Sequence, residues 1–114
     1  MASPPASAGV CEIYAATCAK DGSDAVDRGV RLTEAEAVAR RKTGGDIVVC
    51  GPDTIRNDAL ARKIEAAATP PGGVCIYHGP HGGLLSLPHW QQAVAPPAGH
   101  SFHETNRRQA RTSP

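Results

Sequence analysis

All five histidines of the chain fall between Cys75 and Glu104, in CIYHGPHGGLLSLPHWQQAVAPPAGHSFHE, at His78, His81, His89, His100 and His103. The stretch contains no lysine or arginine, and Glu104 is its only acid. Imidazole is the one side chain whose ordinary pKa, about 6.5, lets it give or take a proton near neutral pH. Histidines gathered in a segment that is otherwise nearly uncharged read as groups assembled for proton transfer or ligation, not as a solvated face.

Two imidazoles of different basicity can divide the work on a phosphodiester between them. One takes the proton of a ribose 2′-hydroxyl, and the other protonates the leaving oxygen. His81 and His89 are the first choices for that pair, with His78 and His100 next. All but His100 sit in HGPHGG and LPHW, where Gly and Pro interrupt regular structure and loops carry sites. The phosphate also needs a cation. Arg56, Arg62 and Lys63 of a predicted helix could supply it, as could Arg107, Arg108 and Arg111 of the tail; Arg56, Lys63 and Arg107 are the candidate phosphate holders.

The same residues allow a different chemistry. Cys75-x-x-His78-x-x-His81 has metal-ligand spacing, and His89 or Cys50 could complete a tetrahedral zinc site. A second ligand pair at short spacing is missing, so the reading without a metal leads and zinc or another divalent ion is the alternative. A bland reading stands beside both: Cys75 as a core thiol, and the histidines as loop residues without a task. Trp90 could stack on a base but is expected to pack in a core poor in aromatic rings. His103 and Glu104, adjacent on a strand, point to opposite faces and should not touch, whereas His100 and Phe102 share one face and Ser101 and His103 the other.

These residues need elements to hold them. Thr33 and Glu36 have capping-box spacing and start a helix over 34–42, with Leu32 and Ala37 as the staple. Arg40, Arg41 and Lys42 complement its negative end, and Gly44-Gly45 supply the exit. DIVVC, 46–50, is a continuous apolar run and reads as a buried central strand. A second helix covers about 54–68, capped by Asp53 or Asn57. Ile55, Leu60 and Ile64 form its apolar stripe, and Arg56, Arg62, Lys63 and Glu65 its solvated side. Strands follow at 74–77, 83–87 and 100–104. Residues 10–19 lean towards helix, because Val10, Ile13, Tyr14 and Cys18 fall near one helical face.

This order predicts an α+β fold: two to three helices on one face of a small, mainly antiparallel sheet of three to four strands, with long loops in the C-terminal half. Residues 1–28 read as a leader or linker with a short N-terminal element, and 29–114 as a single domain with a mobile tail. The chain has 114 residues and a net charge of +1, which argues against an ordinary strongly basic nucleic-acid binder. No apolar run is long enough to span a membrane, and the start lacks the pattern of a signal peptide. Four cysteines, Cys11, Cys18, Cys50 and Cys75, allow three pairings; Cys50 and Cys75 could meet if their strands are neighbours.

Taken together, RLTEAEAVARRKTGGDIVVCG, NDALARKIEAAA, HGPHGGLLSLPHWQ and GHSFHETNRRQAR resemble the C-terminal toxin domains of polymorphic bacterial toxins, of the Rhs-repeat and contact-dependent inhibition type. The resemblance covers about residues 28–111. It is carried chiefly by Gly79-Pro80-His81-Gly82, Leu87-Pro88-His89-Trp90 and Gly99-His100-Ser101-Phe102. It implies a domain released from a long secreted carrier, delivered into the cytoplasm of a competing bacterium and neutralised by a cognate immunity protein. Among such domains it implies a metal-independent ribonuclease first. The alternatives are a metal-dependent DNA nuclease, an NADase or ADP-ribosyltransferase, and a non-enzymatic module stapled by zinc or disulfides.

Overall fold

Local signals account for both helices. In a computed structural model, which describes residues 10–80 and 83–112, the first helix, α1, runs Glu34–Lys42. Its capping box is complete: the Thr33 hydroxyl accepts from the Glu36 N–H at 3.1 Å and the Glu36 carboxylate from the Thr33 N–H at 2.8 Å. Gly44, at φ +90, turns the chain out of it. The second helix, α2, runs Thr54–Ala68, and the Asp53 carboxylate caps it by accepting from the Arg56 N–H.

The strands are β1 (Glu12–Cys18), β2 (Val26–Leu32), β3 (Asp46–Cys50), β4 (Cys75–His78), β5 (His89–Gln92), β6 (Ser101–His103) and β7 (Arg111–Thr112). They form one sheet of seven in the order β4-β5-β6-β3-β1-β2-β7. The β1–β2, β1–β3, β4–β5 and β5–β6 pairs are antiparallel; β3–β6 and β2–β7 are parallel. The class is α+β as expected, but the sheet has more strands than the three to four predicted. Residues 10–19 do not form a helix, because β1 pairs on both sides. Ile13 goes to one face of the sheet, and Tyr14 and Ala16 to the other. Residues 83–87 are not a strand; pairing with β4 begins at His89.

Strand alternation sorts the core into two layers. Ile13, Ile47 and Val49 meet Ala37 of α1 with Ala61 and Ile64 of α2. Ala16, Val26, Val48, Cys50 and Phe102 face the other way and are covered by loop, notably Leu87. Both helices therefore lie on one side and irregular chain on the other.

Two charges placed on helix surfaces from sequence are in the centre of the molecule. Arg41 and Glu65 are fully buried. The Arg41 Nε and Nη2 groups donate to the two Glu65 oxygens at 2.8 and 3.0 Å. Nη1 donates to the carbonyls of Gly45 and Ala98 at 2.9 and 2.8 Å. Glu65 also accepts from Ser101 Oγ at 2.8 Å and Gln92 Nε2 at 2.6 Å. Their burial is possible because α1 and α2 meet there and each nitrogen and oxygen of the pair has a hydrogen-bond partner. By contrast, the Arg56–Asp53 and Lys63–Glu34 pairs are exposed and contribute on the order of 0–1 kcal/mol each.

Removing one member of the buried pair leaves an uncompensated ion. Arg41→Met or Glu65→Leu should lower unfolding free energy by about 3–5 kcal/mol in urea denaturation. The Arg41→Met/Glu65→Leu double variant should lose less than the sum of the two. Single losses under about 1 kcal/mol would show that the pair is not structural.

Candidate functional site

Three of the five imidazoles come together on the face of the sheet away from the helices. His78 of β4 is registered opposite His89 of β5, and their rings stack in parallel planes with centroids 5.5 Å apart. His89 meets His100 edge-on at 4.7 Å, and Phe102 lies against both His89 and His100, at 5.2 and 4.9 Å. The predicted sharing of a face by His100 and Phe102 is thus present.

His89 is almost fully buried. Burial pushes its pKa down to about 4, with smaller opposing and reinforcing effects from Leu87, His100, Gln91 and His78. Its Nδ1–H reaches the Leu87 carbonyl at 3.3 Å, and Nε2 lies 3.0 Å from the Gln91 side-chain amide. A neutral ring with Nδ1 protonated needs that amide to turn its NH2 towards Nε2. Placed first from sequence for a proton-transfer pair, His89 lies buried inside the row, where burial disfavours its charged form. His81, the other first choice, lies outside the described residues.

His100 is more accessible and has a carboxylate. Its Nδ1 is 3.1 Å from Asp46 Oδ1, with side-chain exposures of 34% and 20%. The same oxygen accepts the His100 backbone N–H at 2.7 Å. Burial alone would raise the Asp46 carboxyl, but the His100 ring and backbone bring it below its ordinary value. Gly99 makes this approach possible. It sits at φ +94, and a Cβ there would come within 2.9 Å of Asp46 Oδ1 and 2.7 Å of the Arg41 guanidinium. A carboxylate that orients an imidazole is what a general base needs.

Cys18 completes the cluster. Its Sγ is 3.7 Å from Asp46 Oδ2, and burial, then Asp46, pushes the thiol up to about 11. One ligand atom from each of Cys18, Asp46 and His100 falls within 4.8 Å of the others, a group that could hold a metal ion. Sequence reasoning missed both Cys18 and Asp46. Neither is close to His100 along the chain, and only the β1–β3 and β3–β6 pairings bring them together.

The ligand set expected from spacing does not assemble. Cys75 pairs with Gln92, and Gln92 points at Glu65 on the helix side, so Cys75 faces away from His78 and His89. Cys50 is three strands from Cys75, and all four cysteines are free thiols. His103 also faces the helices. It is buried, with Nε2 3.5 Å from Asp58 Oδ1 but without hydrogen-bond geometry at either ring nitrogen. Burial lowers its pKa and Asp58 opposes that. Trp90 packs against the helix-side core and donates to Asp58 at 2.6 Å.

The candidate phosphate holders are dispersed. Arg56 and Lys63 are on α2, on the far side of the sheet from the imidazole row. Arg107 lines a groove of about 340 Å³ with Thr54, Tyr77, Pro80, Pro88 and Arg108. Comparison with protein-family models, with curated proteins and with solved structures finds no match.

The buried imidazoles make stability depend on pH. Both His89 and His103 have native pKa values below the unfolded value of about 6.5. The unfolded chain therefore takes up protons first as pH falls. The contribution is complete above about pH 6.5 and is lost on the way down to pH 4. For His89 this is on the order of 3 kcal/mol, at 1.36 kcal/mol per unit. The groups facing it are His78 and His100; Asp58 faces His103. Urea midpoints should hold between pH 7.5 and 6.5 and fall from there to pH 4.5, less so in His89→Gln. A midpoint that does not move over that range contradicts the assignment of neutral buried rings.

Proposed function

We propose that this chain is a toxin domain of the polymorphic class that cleaves RNA by metal-independent acid–base chemistry on the imidazole face. The observation that supports it most is the Asp46-oriented, half-exposed His100 at one end of a row that ends in His78. His100 takes the proton of a ribose 2′-hydroxyl, with Asp46 stabilising the imidazolium that forms. The 2′-oxygen attacks phosphorus, and His78 gives its proton to the departing 5′-oxygen. The products are a 2′,3′-cyclic phosphate and a free 5′-hydroxyl, and proton exchange with water restores the two rings. His89, neutral at the working pH, spaces the two rings and does not compete for the proton.

Arg107 lies in a groove with Thr54 of α2 and with Tyr77 of the helix side, which does not place it at the imidazole face. Arg56 and Lys63 are poorly placed for the phosphate at His100. No described helix is long and apolar enough to cross a membrane, and delivery into a target cell with neutralisation by an immunity protein belongs to this same reading.

Incubation of the purified chain with an RNA oligonucleotide in excess EDTA tests the proposal. Cleavage should persist and leave cyclic phosphate ends. His100→Ala and His78→Ala should each lower kcat/KM by about 10²–10⁴, with folding verified by circular dichroism. An active His78→Ala/His100→Ala double variant, or RNA left intact, would overturn it.

A further inference from the structure

We propose that Cys18, Asp46 and His100 form a three-ligand site for a divalent cation of the zinc class, and that its occupation silences the face on which they lie. The donor set is one sulfur, one carboxylate oxygen and one imidazole nitrogen, which suits zinc or cobalt and not calcium or magnesium. In a tetrahedral site with bonds of 2.0–2.3 Å, neighbouring donors are roughly 3.5 Å apart. Cys18 Sγ lies 3.7 Å from Asp46 Oδ2 and His100 Nδ1 lies 3.1 Å from Asp46 Oδ1, and one donor atom from each residue falls within 4.8 Å of the others before any ion is bound.

The surroundings hold the donors in place. Cys18 ends β1, Asp46 starts β3 and His100 precedes β6, so three adjoining strands fix them. The His100 backbone N–H holds Asp46 Oδ1, the outer-shell support that metal carboxylates commonly have. Arg40 Nε donates to the Asp46 carbonyl at 2.7 Å and its Nη2 to the Ala16 carbonyl at 3.3 Å, which ties β1 to β3 beside the site. Cys18 is exposed and not in a disulfide, which gives an ion a way in. Three protein ligands leave a fourth position for water.

Binding replaces the thiol proton: Cys–SH and M²⁺ give Cys–S–M⁺ and H⁺. The ion also takes the His100 Nδ1 lone pair and the Asp46 carboxylate. The silencing half of the inference rests on the acid–base reading above, in which those same groups accept the substrate's proton; the metal site itself does not.

Cobalt titration of the chain, reduced and freed of metal, tests the site. One equivalent should bind with a thiolate-to-cobalt band in the near ultraviolet, and zinc should abolish the band. Cys18→Ser should lose the band although Cys11 and Cys75 remain, and His100→Ala should weaken binding by more than about 100-fold, beyond what outer-shell changes cause. No binding, or a band that survives in Cys18→Ser, overturns the site. RNA cleavage is then followed against zinc concentration. Suppression in the parent at stoichiometric zinc, needing at least ten-fold more in Cys18→Ser relative to its own zinc-free rate, supports silencing. Cleavage that ignores bound zinc, or requires it, overturns silencing. A chain that binds cobalt as described but never cleaves RNA leaves the metal site standing and removes the ribonuclease reading.

Discussion

The segment that carries His100 onto the imidazole face is anchored by an ion pair on the opposite side of the sheet. Arg41 and Glu65 are both withdrawn from water, which costs several kcal/mol per ion in a protein interior. Attraction offsets that cost only when the geometry is good and no lone pair or proton is left over. Here the guanidinium gives bonds to Glu65, Gly45 and Ala98, and the carboxylate takes bonds from Arg41, Ser101 and Gln92. The pair thus joins α1, α2, β5, β6 and the segment leading to β6. Ser101 is held from below by Glu65 and Ala98 by Arg41. His100, between them, has little freedom except to rise on the other face beside Asp46. A salt bridge that would be a poor source of net stability serves here to fix the register of a short three-residue strand.

That division of labour suits a small chain. The helix side is built from short side chains, Ala37 and Ala61 among them, so that α1 and α2 lie close to Ile47, Val49 and Ile13. Among the described residues the other side has no helix. Leu87 and its loop cover part of it, pinned by Arg108 bonds to the carbonyls of Gly83 and Ser86 at 2.6 and 3.1 Å. Loop cover leaves a rim, and His78, His100, Asp46 and Cys18 are on that rim while His89 is beneath it. Under a helix, the same imidazoles would be sealed and unable to meet a substrate.

Sequence reading reached the parts of this architecture that local physics decides. Capping at Thr33 and Asp53 and the apolar run Ile47–Cys50 gave helices and a central strand at their observed limits. β1 escaped because VCEIYAATCA has apolar residues compatible with either period, and the choice was made by β2 and β3 pairing on its two edges. β2 escaped because VDRGVRL has no clean alternation; its hydrogen bonds come from β1 and β7, not from its composition. The gathering of imidazoles was visible, and so was the face shared by His100 and Phe102. Their partners were not. Asp46 looked like the first residue of a strand and Cys18 like one more thiol, and only non-local pairing puts both beside residue 100. The burial of Glu65 and Arg41 was hidden for the same reason: each is polar at a position where its own helix would permit solvent.

The two histidines of Gly99–Glu104 show how a strand decides which residue can do chemistry. His100 and His103 are an odd number of residues apart, so alternation sends them to opposite faces. His103 enters the helix side beside Tyr77, 6.0 Å away, and Asp58, with neither ring nitrogen hydrogen-bonded; its environment disfavours the charged form. His100 emerges on the loop side, half-exposed and beside the Asp46 carboxylate. Identical side chains three residues apart thus end on opposite faces, one buried and one half-exposed. A motif that counts histidines cannot separate them, but the parity of their spacing can, once β6 is known to be a strand with α2 packed on one side.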